Sequence, residues 1–346
     1  MAEVDQLVRE RARALGFDRI GVASAAESAE PEFSRYEAFI DAGKHGKMAY
    51  LAGAREARRR LDTDAILEGA RSVICVAESY AGPDLGESET GLARHIAKYA
   101  RGSDYHNHLR RRLRRLAAFV RTLGEATAAR PISDDAPVLE RAWAVRAGLG
   151  FVGKNGLLIA PGVGSFVLLG EVVTTLALVP DTPMGERCGS CSLCVDACPT
   201  AAFDAPFVLD PRRCISYLTI ELRGEMPEPL RAGVGEHLFG CDVCQDVCPY
   251  NRRPTEQKKP RYAPLPRWRE TSLESLTSLD EATFRSLAEG SPLKRATREG
   301  LARNAVTVLA NQRDVRHRPT LEALASEHPD EAVRAHAAWG LARLDE

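Results

Sequence analysis

The sequence predicts a chain of mixed α/β (α+β) class built from three parts. Apolar, strand-like runs alternate with amphipathic segments over residues 1–180, eight cysteines crowd into residues 181–255, and residues 256–346 have helical patterning with a weak internal repeat. A chain of 346 residues is long enough for two or three domains. We therefore expect a mixed N-terminal domain, a cysteine-rich domain and a helical C-terminal domain with these boundaries.

Charge and composition exclude several classes of protein. The chain has 47 Lys and Arg against 48 Asp and Glu, a net charge of −1, and 44% hydrophobic residues. It is neither polybasic throughout nor disordered. The N-terminus lacks the apolar stretch of a signal peptide, and the most apolar run, residues 164–180, is short for a membrane span and contains Glu171. We expect a cytoplasmic protein without a membrane segment, with that run forming a buried strand or strand pair.

The pattern of the N-terminal part predicts its first elements. Residues 1–16 form an amphipathic helix, residues 17–25 a strand with its turn, and residues 71–77 a buried strand in which Cys75 is a core residue. Leucines at helical spacing predict a helix within residues 99–121. Its arginines form either a solvated basic face, which we favour, or a patch for a phosphate backbone: Arg110, Arg111, Arg114 and Arg115.

The segment 131–180 predicts one more helix and further strands. Ser133, Asp134 or Asp135 could cap a helix through residues 138–147, which Gly148 would end. Two strands joined through a Pro-Gly turn at residues 161–162 follow, and residues 181–185 are a natural domain boundary.

The cysteine spacing is the most specific signal in the chain. Cys188, Cys191, Cys194 and Cys198, followed by Pro199, form the C-x₂-C-x₂-C-x₃-C-P run of bacterial ferredoxins. Three of these thiolates face one cubane, and the fourth points to a second cluster. The end of the run recurs in a second group of cysteines, and one more lies upstream of it: Cys241, Cys244, Cys248 and Cys214.

The ligand pattern of bacterial two-cluster ferredoxins divides the eight thiolates into two sets, each for one 4Fe–4S cluster. The second run departs from the standard pattern because its first ligand is displaced upstream to Cys214. Paired zinc sites are the alternative, but the x₃-C-P ending, which occurs twice, argues against them. The first predicted set is Cys188, Cys191, Cys194 and Cys248, and the second is Cys198, Cys214, Cys241 and Cys244.

A charged, proline-containing linker separates the cysteine-rich part from the C-terminal helices. Residues 304–310 align with residues 336–342 at a period of about 32 residues, a length typical of HEAT-like helix pairs. An ordinary helical cap is the alternative.

Periodicity and spacing do not identify the reaction. Two clusters alone indicate an electron carrier, but a carrier does not need the other two-thirds of the chain. No dinucleotide-binding glycine motif or P-loop is present in the sequence. The residues alone therefore indicate two clusters and a redox partner site of unknown kind.

Several segments resemble the epoxyqueuosine reductase family, whose members complete queuosine in tRNA. They occur in family order between about residues 60 and 255, and the run at 213–221 is highly specific. The segments are 99–106 (YARGSDYH), 134–141 (DDAPVLER), 148–155 (GLGFVGKN), 164–171 (GSFVLLGE), 213–221 (RCISYLTIE) and 240–244 (GCDVC).

The resemblance implies a cobalamin-dependent reductase. It implies an N-terminal domain similar to that of reductive dehalogenases, which binds cobalamin, and a ferredoxin-like domain that feeds the corrin with electrons. The C-terminal HEAT-like part and basic surfaces would hold the tRNA anticodon stem-loop. The reaction would remove the epoxide oxygen of epoxyqueuosine at the wobble position, giving queuosine and water. A flavodoxin or ferredoxin donor and a monomeric state are the family expectation.

The resemblance also implies roles for single residues. The acid is Asp134, and Asp135 stands where the family usually has Ser or Thr, so that its charge should raise the pKa of Asp134. Glu221 and Arg223 would lie near the RNA entrance. The implied cobalamin contacts, besides Asp134, are Arg60, Tyr99, Lys154, Asn155, Leu158, Leu169, Ser216, Gly240 and Cys241.

Two rival functions remain at this point. Another corrinoid reductase, such as a dehalogenase, is disfavoured by the RCISYLTIE run and by the lack of a twin-Arg signal. A non-catalytic two-cluster electron-transfer protein leaves the Asp134 segment and the large N-terminal part without a role.

Overall fold

An antiparallel sheet forms the centre of the N-terminal part. The computed structural model describes residues 2–81, 91–252 and 259–346, so the expected boundary at residues 255–256 lies outside the described residues. The sheet has the order β1-β2-β6-β3, and its neighbours all pair antiparallel. The strands are β1 Arg19–Ser24, β2 Ser72–Ser79, β3 Ala129–Ile132, β4 Phe151–Val152, β5 Leu158–Ile159, β6 Val167–Thr174, β7 Phe203–Ala205 and β8 Val208–Leu209.

Helices cover both faces of this sheet and make up most of the C-terminal part. Short 3₁₀ turns connect them at several points. The helices are α1 Ala2–Ala14, α2 Glu32–Asp41, α3 Arg55–Arg59, α4 Lys98–Arg101, α5 Tyr105–Arg121, α6 Glu140–Arg146, α7 Leu193–Asp196, α8 Ile215–Ile220, α9 Glu228–Val234, α10 Val243–Asp246, α11 Arg267–Glu270, α12 Leu273–Leu276, α13 Glu281–Ala288, α14 Arg298–Gln312, α15 Arg318–Glu327 and α16 Glu331–Leu344.

The sheet separates two apolar cores. On one face, α1 and α5 pack through residues such as Val8, Leu113 and Leu116, which are fully buried. On the other face, α6 packs Trp143 and Ala144 against β2 and β6. The result is a helix–sheet–helix sandwich of α+β class, which confirms the mixed class that the sequence predicts.

The strand predictions are confirmed with one difference in pairing. Residues 164–180 contain β6, which is the strand between β2 and β3 in the sheet. The expected strands on either side of residues 161–162 are β5 and β6, but they do not pair with each other. Instead, β5 forms a separate two-stranded sheet with β4. The turn between β5 and β6 is closed by one antiparallel bridge between Ala160 and Gly164, but the two strands belong to different sheets.

The cysteine-rich part contains two similar half-units. In each, a short helix contains the second cysteine of a C-x₂-C pair, Cys194 in α7 and Cys244 in α10, and the two helices pack against each other. The C-terminal helices are joined to the rest by a shared apolar core. This core combines Leu92 and Ile96 with Phe239 and with residues of α14 such as Leu301. In the described part of the chain, no helix is long and apolar enough to cross a membrane.

Candidate functional site

The loop that follows β3 carries the two predicted acidic residues. Asp134 has a left-handed backbone conformation (φ 55°), which aspartate adopts more readily than most residues. Its backbone N–H donates to Glu140 Oε1 at 2.9 Å. The N–H of Ser133 donates to Asp135 Oδ1 at 2.9 Å. The prediction that these residues cap the next helix is wrong, because α6 begins at Glu140 without a side-chain cap bond.

The Asp134 carboxyl group meets the start of α5. Tyr105 Oη donates to Asp134 Oδ2 at 2.9 Å, and His106 Nε2 lies 3.6 Å from the same oxygen. On its other side, His106 Nδ1 is 2.7 Å from Asp104 Oδ1, and Lys294 Nζ is 3.2 Å from Asp104 Oδ2. Asp104 also caps α5 by accepting the His106 N–H. A line of alternating charge therefore runs from Lys294 through Asp104 and His106 to Asp134.

This line of charged groups sets the charge states of the site formed by Asp134, Tyr105 and His106, which we call the Asp134 pocket. Burial raises the pKa of Asp134, but the hydrogen bonds from His106 and Tyr105 outweigh it, and the pKa of Asp134 is lowered. Burial lowers the pKa of His106, but the bonds to Asp104 and Asp134 outweigh it and raise that pKa to about 9. At neutral pH the proton of the pair therefore resides on the imidazole.

The expectation that Asp135 raises the pKa of Asp134 is wrong. Asp135 turns away, accepting the Ser133 N–H and lying with Oδ2 3.4 Å from Arg110 Nε. The groups that contact Asp134 itself are donors, and they stabilise its ionised form.

An exposed rim borders this pocket. Arg295 binds Glu221 through two bonds of 2.9 and 3.2 Å and lies 5.3 Å above the ring of Tyr50. Arg223 donates to the backbone oxygen of Arg295 at 2.7 Å. Tyr50 is 56% exposed, and both it and Arg295 interact electrostatically with Asp134. The rim thus offers a cation and an aromatic face to a ligand that enters toward Asp134.

Tyr99 connects the pocket to the cysteine-rich part. Its ring lies 6.0 Å from that of Tyr105 and 6.3 Å from that of Phe239. Gly240 has φ 71°, and a Cβ there would lie 2.7 Å from Ala97 and 3.7 Å from Tyr99, so the backbone before Cys241 needs a glycine. Cys241 of the second predicted set therefore follows a glycine that packs beside Tyr99, and Tyr99 in turn contacts Tyr105, the hydrogen-bond partner of Asp134.

The cysteines of the two predicted sets lie close together. All four residues of the first set line a single cavity together with Lys154 and Asn155. In the second set, Cys214 interacts electrostatically with Cys198, and Cys241 interacts with both. Cys244 interacts with Cys241 and Cys214 and also with Cys194 of the first set, so the two groups are neighbours.

Solvent exposure does not distinguish the two groups. Cys248 of the first set is buried, and the other seven cysteines of the two sets are partly exposed. The cavity of the first set includes Leu193, which is 43% exposed, and Lys154 Nζ donates to the oxygens of Gly189 and Cys191 in the same loop.

The predicted cobalamin contacts are brought together only in part. Tyr99, Gly240 and Asp134 border the pocket, as described above. Leu169 lies two residues before Glu171 on the same face of β6, and Leu158 is buried in the core on that face. Ser216 is next to the second cysteine set, where it hydrogen-bonds to Cys214.

Two of the predicted contacts lie elsewhere. Lys154 is engaged by the first cysteine loop, as described above. Arg60 ends α3 with its side chain 55% exposed, and its ion pair is with Glu56 at 2.6 Å. Asn155, in contrast, keeps a buried amide, Nδ2, with no hydrogen-bond partner among the described residues. This orphaned donor fits a ligand that supplies an acceptor beside the first cysteine set.

The basic stretch of α5 is mostly a solvated face. Arg111, Arg114 and Arg115 are exposed, whereas Arg110 reaches Asp135 as described above. Arg112 is buried against Glu78. The favoured interpretation of this helix agrees with the observed exposure.

Sequence reasoning missed several side chains of the pocket. Tyr105, His106 and Glu140 lie inside segments that the resemblance marks, so those segments held the signal. Lys294 and Arg295 have no motif around them. They are far from Asp134 in the chain, and tertiary folding alone brings them to the pocket.

Comparisons with known proteins agree with this geometry. The family model described as "Epoxyqueuosine reductase QueG, DUF1730" matches residues 60–135, and the "4Fe-4S double cluster binding domain" matches residues 187–251. An epoxyqueuosine reductase of Gloeobacter violaceus is 40% identical over 319 residues, which is 91% of this chain and 98% of that protein.

Solved structures agree as well. The structure of an epoxyqueuosine reductase with a tRNA-Tyr epoxyqueuosine-modified stem loop matches with a TM-score of 0.90 and 29% identity, covering 100% of this chain and 91% of that one. A structure of the Bacillus subtilis enzyme, with its aspartate catalytic loop swung out of the active site, matches with a TM-score of 0.89 and 28% identity over 99% of this chain and 91% of that one.

Proposed function

The chain belongs to the epoxyqueuosine reductase family, and on that premise we propose that it reduces epoxyqueuosine to queuosine at the wobble position of tRNA, the last step of queuosine biosynthesis. The observation that carries this proposal is the position of Asp134. Its carboxyl group faces a rim open to solvent on one side and, through Tyr99, the second cysteine set on the other. Substrate and electrons can therefore reach one place from opposite directions.

The reaction needs both electrons and protons at that place. Removing the epoxide oxygen as water and leaving a carbon–carbon double bond takes two electrons and two protons. His106 holds a proton at neutral pH, and Asp134 lies between it and the open pocket. We assign to Asp134 the transfer of a proton to the departing oxygen, with His106 as the source that reloads it. Tyr105 orients the carboxyl group through its hydrogen bond.

Two 4Fe–4S clusters form the electron-transfer path, as the double-cluster domain match indicates. We propose that the first set, whose cavity includes the exposed Leu193, is the surface set that receives electrons, and that the second set holds the inner cluster that delivers them toward Tyr99. A flavodoxin or ferredoxin is the expected donor to the surface set. The ligands proposed are Cys188, Cys191, Cys194 and Cys248 for the surface cluster, and Cys198, Cys214, Cys241 and Cys244 for the inner cluster.

Cobalamin is the proposed cofactor between the inner cluster and the substrate. When bound, a strongly reduced cobalt supplies the electron pair that opens the epoxide. Of the predicted contacts, we propose that Tyr99, Leu169 and Gly240 line the cobalamin-binding site. The unpartnered amide of Asn155 would donate a hydrogen bond to an acceptor atom of the cofactor. Arg60 and Lys154 are proposed contacts that would first leave their present partners, Glu56 and the first cysteine loop.

The tRNA stem-loop is proposed to approach over the rim. Tyr50 and Arg295 offer stacking and charge to a nucleotide that enters the pocket, and Glu221 and Arg223 fix that arginine. The exposed arginines Arg111, Arg114 and Arg115 and the C-terminal helices, which we interpret as HEAT-like pairs, would contact the phosphate backbone. We further propose that the protein acts in the cytoplasm as a monomer.

Anaerobic reconstitution tests the proposed function. The full chain is loaded with iron, sulfide and cobalamin, reduced, and given tRNA that carries epoxyqueuosine, and the nucleosides are analysed by mass spectrometry. We expect conversion to queuosine that stops when cobalamin is omitted. Conversion without cobalamin would contradict the proposed cofactor, and an intact epoxide in the presence of both clusters and cobalamin would contradict the function.

A further inference from the structure

A fully buried carboxyl group lies beneath the catalytic loop. Glu171 is in the middle of β6 and is 0% exposed. None of the described ion pairs includes it, and neither of its oxygens accepts a hydrogen bond from a donor in the described part of the chain. The side chain in hydrogen-bonding contact with its carboxyl group is that of Glu140, another acid.

Such a pair needs a proton. An ionised carboxylate buried without a cation costs several kcal/mol, and two adjacent carboxylates repel each other. Burial raises the pKa of Glu171 well above its usual range, and burial together with the charge of Asp134 raises the pKa of Glu140 to about 7. One proton between the two carboxyl groups removes the repulsion and supplies the missing hydrogen bond.

The largest electrostatic influences on Glu171 come from neutral or acidic groups. Across β2 it faces the Cys75 thiol, and the loop after β3 adds the negative charges of Asp134 and Asp135. On α6, Arg141 acts on Glu140, but its guanidinium donates to the Gly156 carbonyl.

Glu140 connects this pair to the loop. Its Oε1 accepts the backbone N–H of Asp134 at 2.9 Å, and Asp134 has the left-handed conformation described above. The loop in a Bacillus subtilis relative has been seen swung out of its active site, so in that protein it has a second position. A bond to the backbone of Asp134 is therefore suited to hold the inward position.

We propose that Glu140 and Glu171 share one proton and are positioning residues that hold Asp134 against Tyr105 and His106. Loss of the shared proton leaves two adjacent carboxylates, and their repulsion drives Glu140 away from the sheet and loosens its bond to the Asp134 N–H. The inference rests on the proposed function only where it calls Asp134 the acid. The position of the loop is a property of the protein without substrate.

Hydrogen–deuterium exchange of the loop peptide around residues 133–138 tests this inference in the reconstituted full chain. After correction for the intrinsic rate of exchange, we expect the Glu171→Leu loop to exchange about five- to tenfold faster than the wild-type loop at about pH 7.5, the effect of losing one hydrogen bond. Glu171→Gln keeps a neutral donor beside Glu140, so its loop should stay protected at the same pH. The matched control is Glu10→Gln on α1, which should behave as wild type.

Infrared spectroscopy gives a second readout. The wild-type protein at about pH 7.5 should show a carboxylic acid C=O band that is absent from Glu171→Gln. Equal loop exchange in wild type and Glu171→Leu, or a missing carboxylic acid band, would overturn the inference while leaving the proposed function intact. Failure of tRNA conversion with the expected exchange pattern would instead contradict the function and leave the carboxyl pair standing.

Discussion

The charge of a single histidine decides what Asp134 can do. The pKa of His106 is raised from an ordinary value near 6.5 to about 9, because Asp104 and Asp134 flank the imidazole. Its ion pairs therefore contribute stability that is complete below about pH 6.5 and is lost as pH rises through about 9. Throughout the neutral range the imidazole therefore holds the proton that, in the proposed mechanism, passes through Asp134 during turnover.

Asp104→Asn tests this relay. Asparagine still caps α5 but removes the charge that holds the imidazolium, so the pKa of His106 should fall. Relative to wild type at the same pH, we expect the loss of tRNA conversion to be about tenfold larger at pH 8 than at pH 6, because a fall of about two pKa units leaves about a tenth of the imidazole protonated at pH 8 but most of it at pH 6. NMR titration of the His106 ring checks the cause. An equal loss at both pH values, with an unchanged His106 titration, would show that Asp104 acts only as a helix cap.

For single residues, the sequence pointed to Asp134, but the predicted effect of Asp135 on its pKa was wrong. The DDAPVLER segment pointed to the acid through family resemblance, and the neighbouring Asp135 suggested a raised pKa. Side-chain direction decided the outcome, because Asp135 faces Arg110 and Asp134 faces two donors. Directions within an irregular loop depend on packing that no spacing rule encodes.

Helix α6 positions Glu140 beside the loop that contains Asp134. It begins at Glu140 and ends where Ala147 meets β1, and it approaches the sheet at Gly21. A Cβ on Gly21 would lie 1.8 Å from the Ala147 oxygen and 2.8 Å from Leu149 Cδ1, so only glycine allows this contact. The placement of the helix, and with it Glu140, therefore depends on a strand residue far from the pocket in sequence.

Gly21→Ala should shift α6 outward and weaken the fold. We expect a loss of about 1–3 kcal/mol, the usual cost of overpacking, together with slower conversion because Glu140 moves. Thermal unfolding and the conversion assay measure both effects. Gly185→Ala, where no atom lies within 4 Å of the added Cβ, is the control. Wild-type melting and activity in Gly21→Ala would contradict the account of this contact.

Sequence periodicity predicted these helices and strands, but it did not predict all of the strand pairings. Apolar runs predicted β1, β2 and β6, and leucine spacing predicted α5, because each buries one face along its own length. The pairing of β5 with β4 followed no local pattern, since a two-residue strand has no periodicity to read.

On the scale of the whole molecule, the predicted parts are bound tightly to one another. Arg303 of α14 is buried and donates to the carbonyl oxygens of Leu218, Leu222 and Gly224 in the cysteine-rich part. The predicted domain boundaries remain predictions. What the sequence lacked was any sign that Arg295, which precedes α14, reaches the Asp134 pocket, because such long-range contacts arise only from packing.

The proposed ligand sets cross between the two halves of the cysteine-rich part, and this crossing is testable. Cys248→Ser and Cys241→Ser should each leave about four irons bound, but with different residual EPR signals. Cys198→Ser should resemble Cys241→Ser, although Cys198 is a sequence neighbour of the first set. Cys75→Ser, in the sheet core, should retain both clusters. A Cys198→Ser signal that matches Cys248→Ser would contradict the proposed pairing.

The central claim is that Asp134, in its pocket between the tRNA rim and the inner cluster, is the acid of epoxide reduction. The most direct test compares Asp134→Asn with Asp135→Asn in the reconstituted conversion assay, at matched cluster and cobalamin content. The account predicts that Asp134→Asn lowers the rate of queuosine formation by about 10²-fold or more, whereas Asp135→Asn stays within a few-fold of wild type. Near-normal conversion by Asp134→Asn, or a large loss confined to Asp135→Asn, would contradict it.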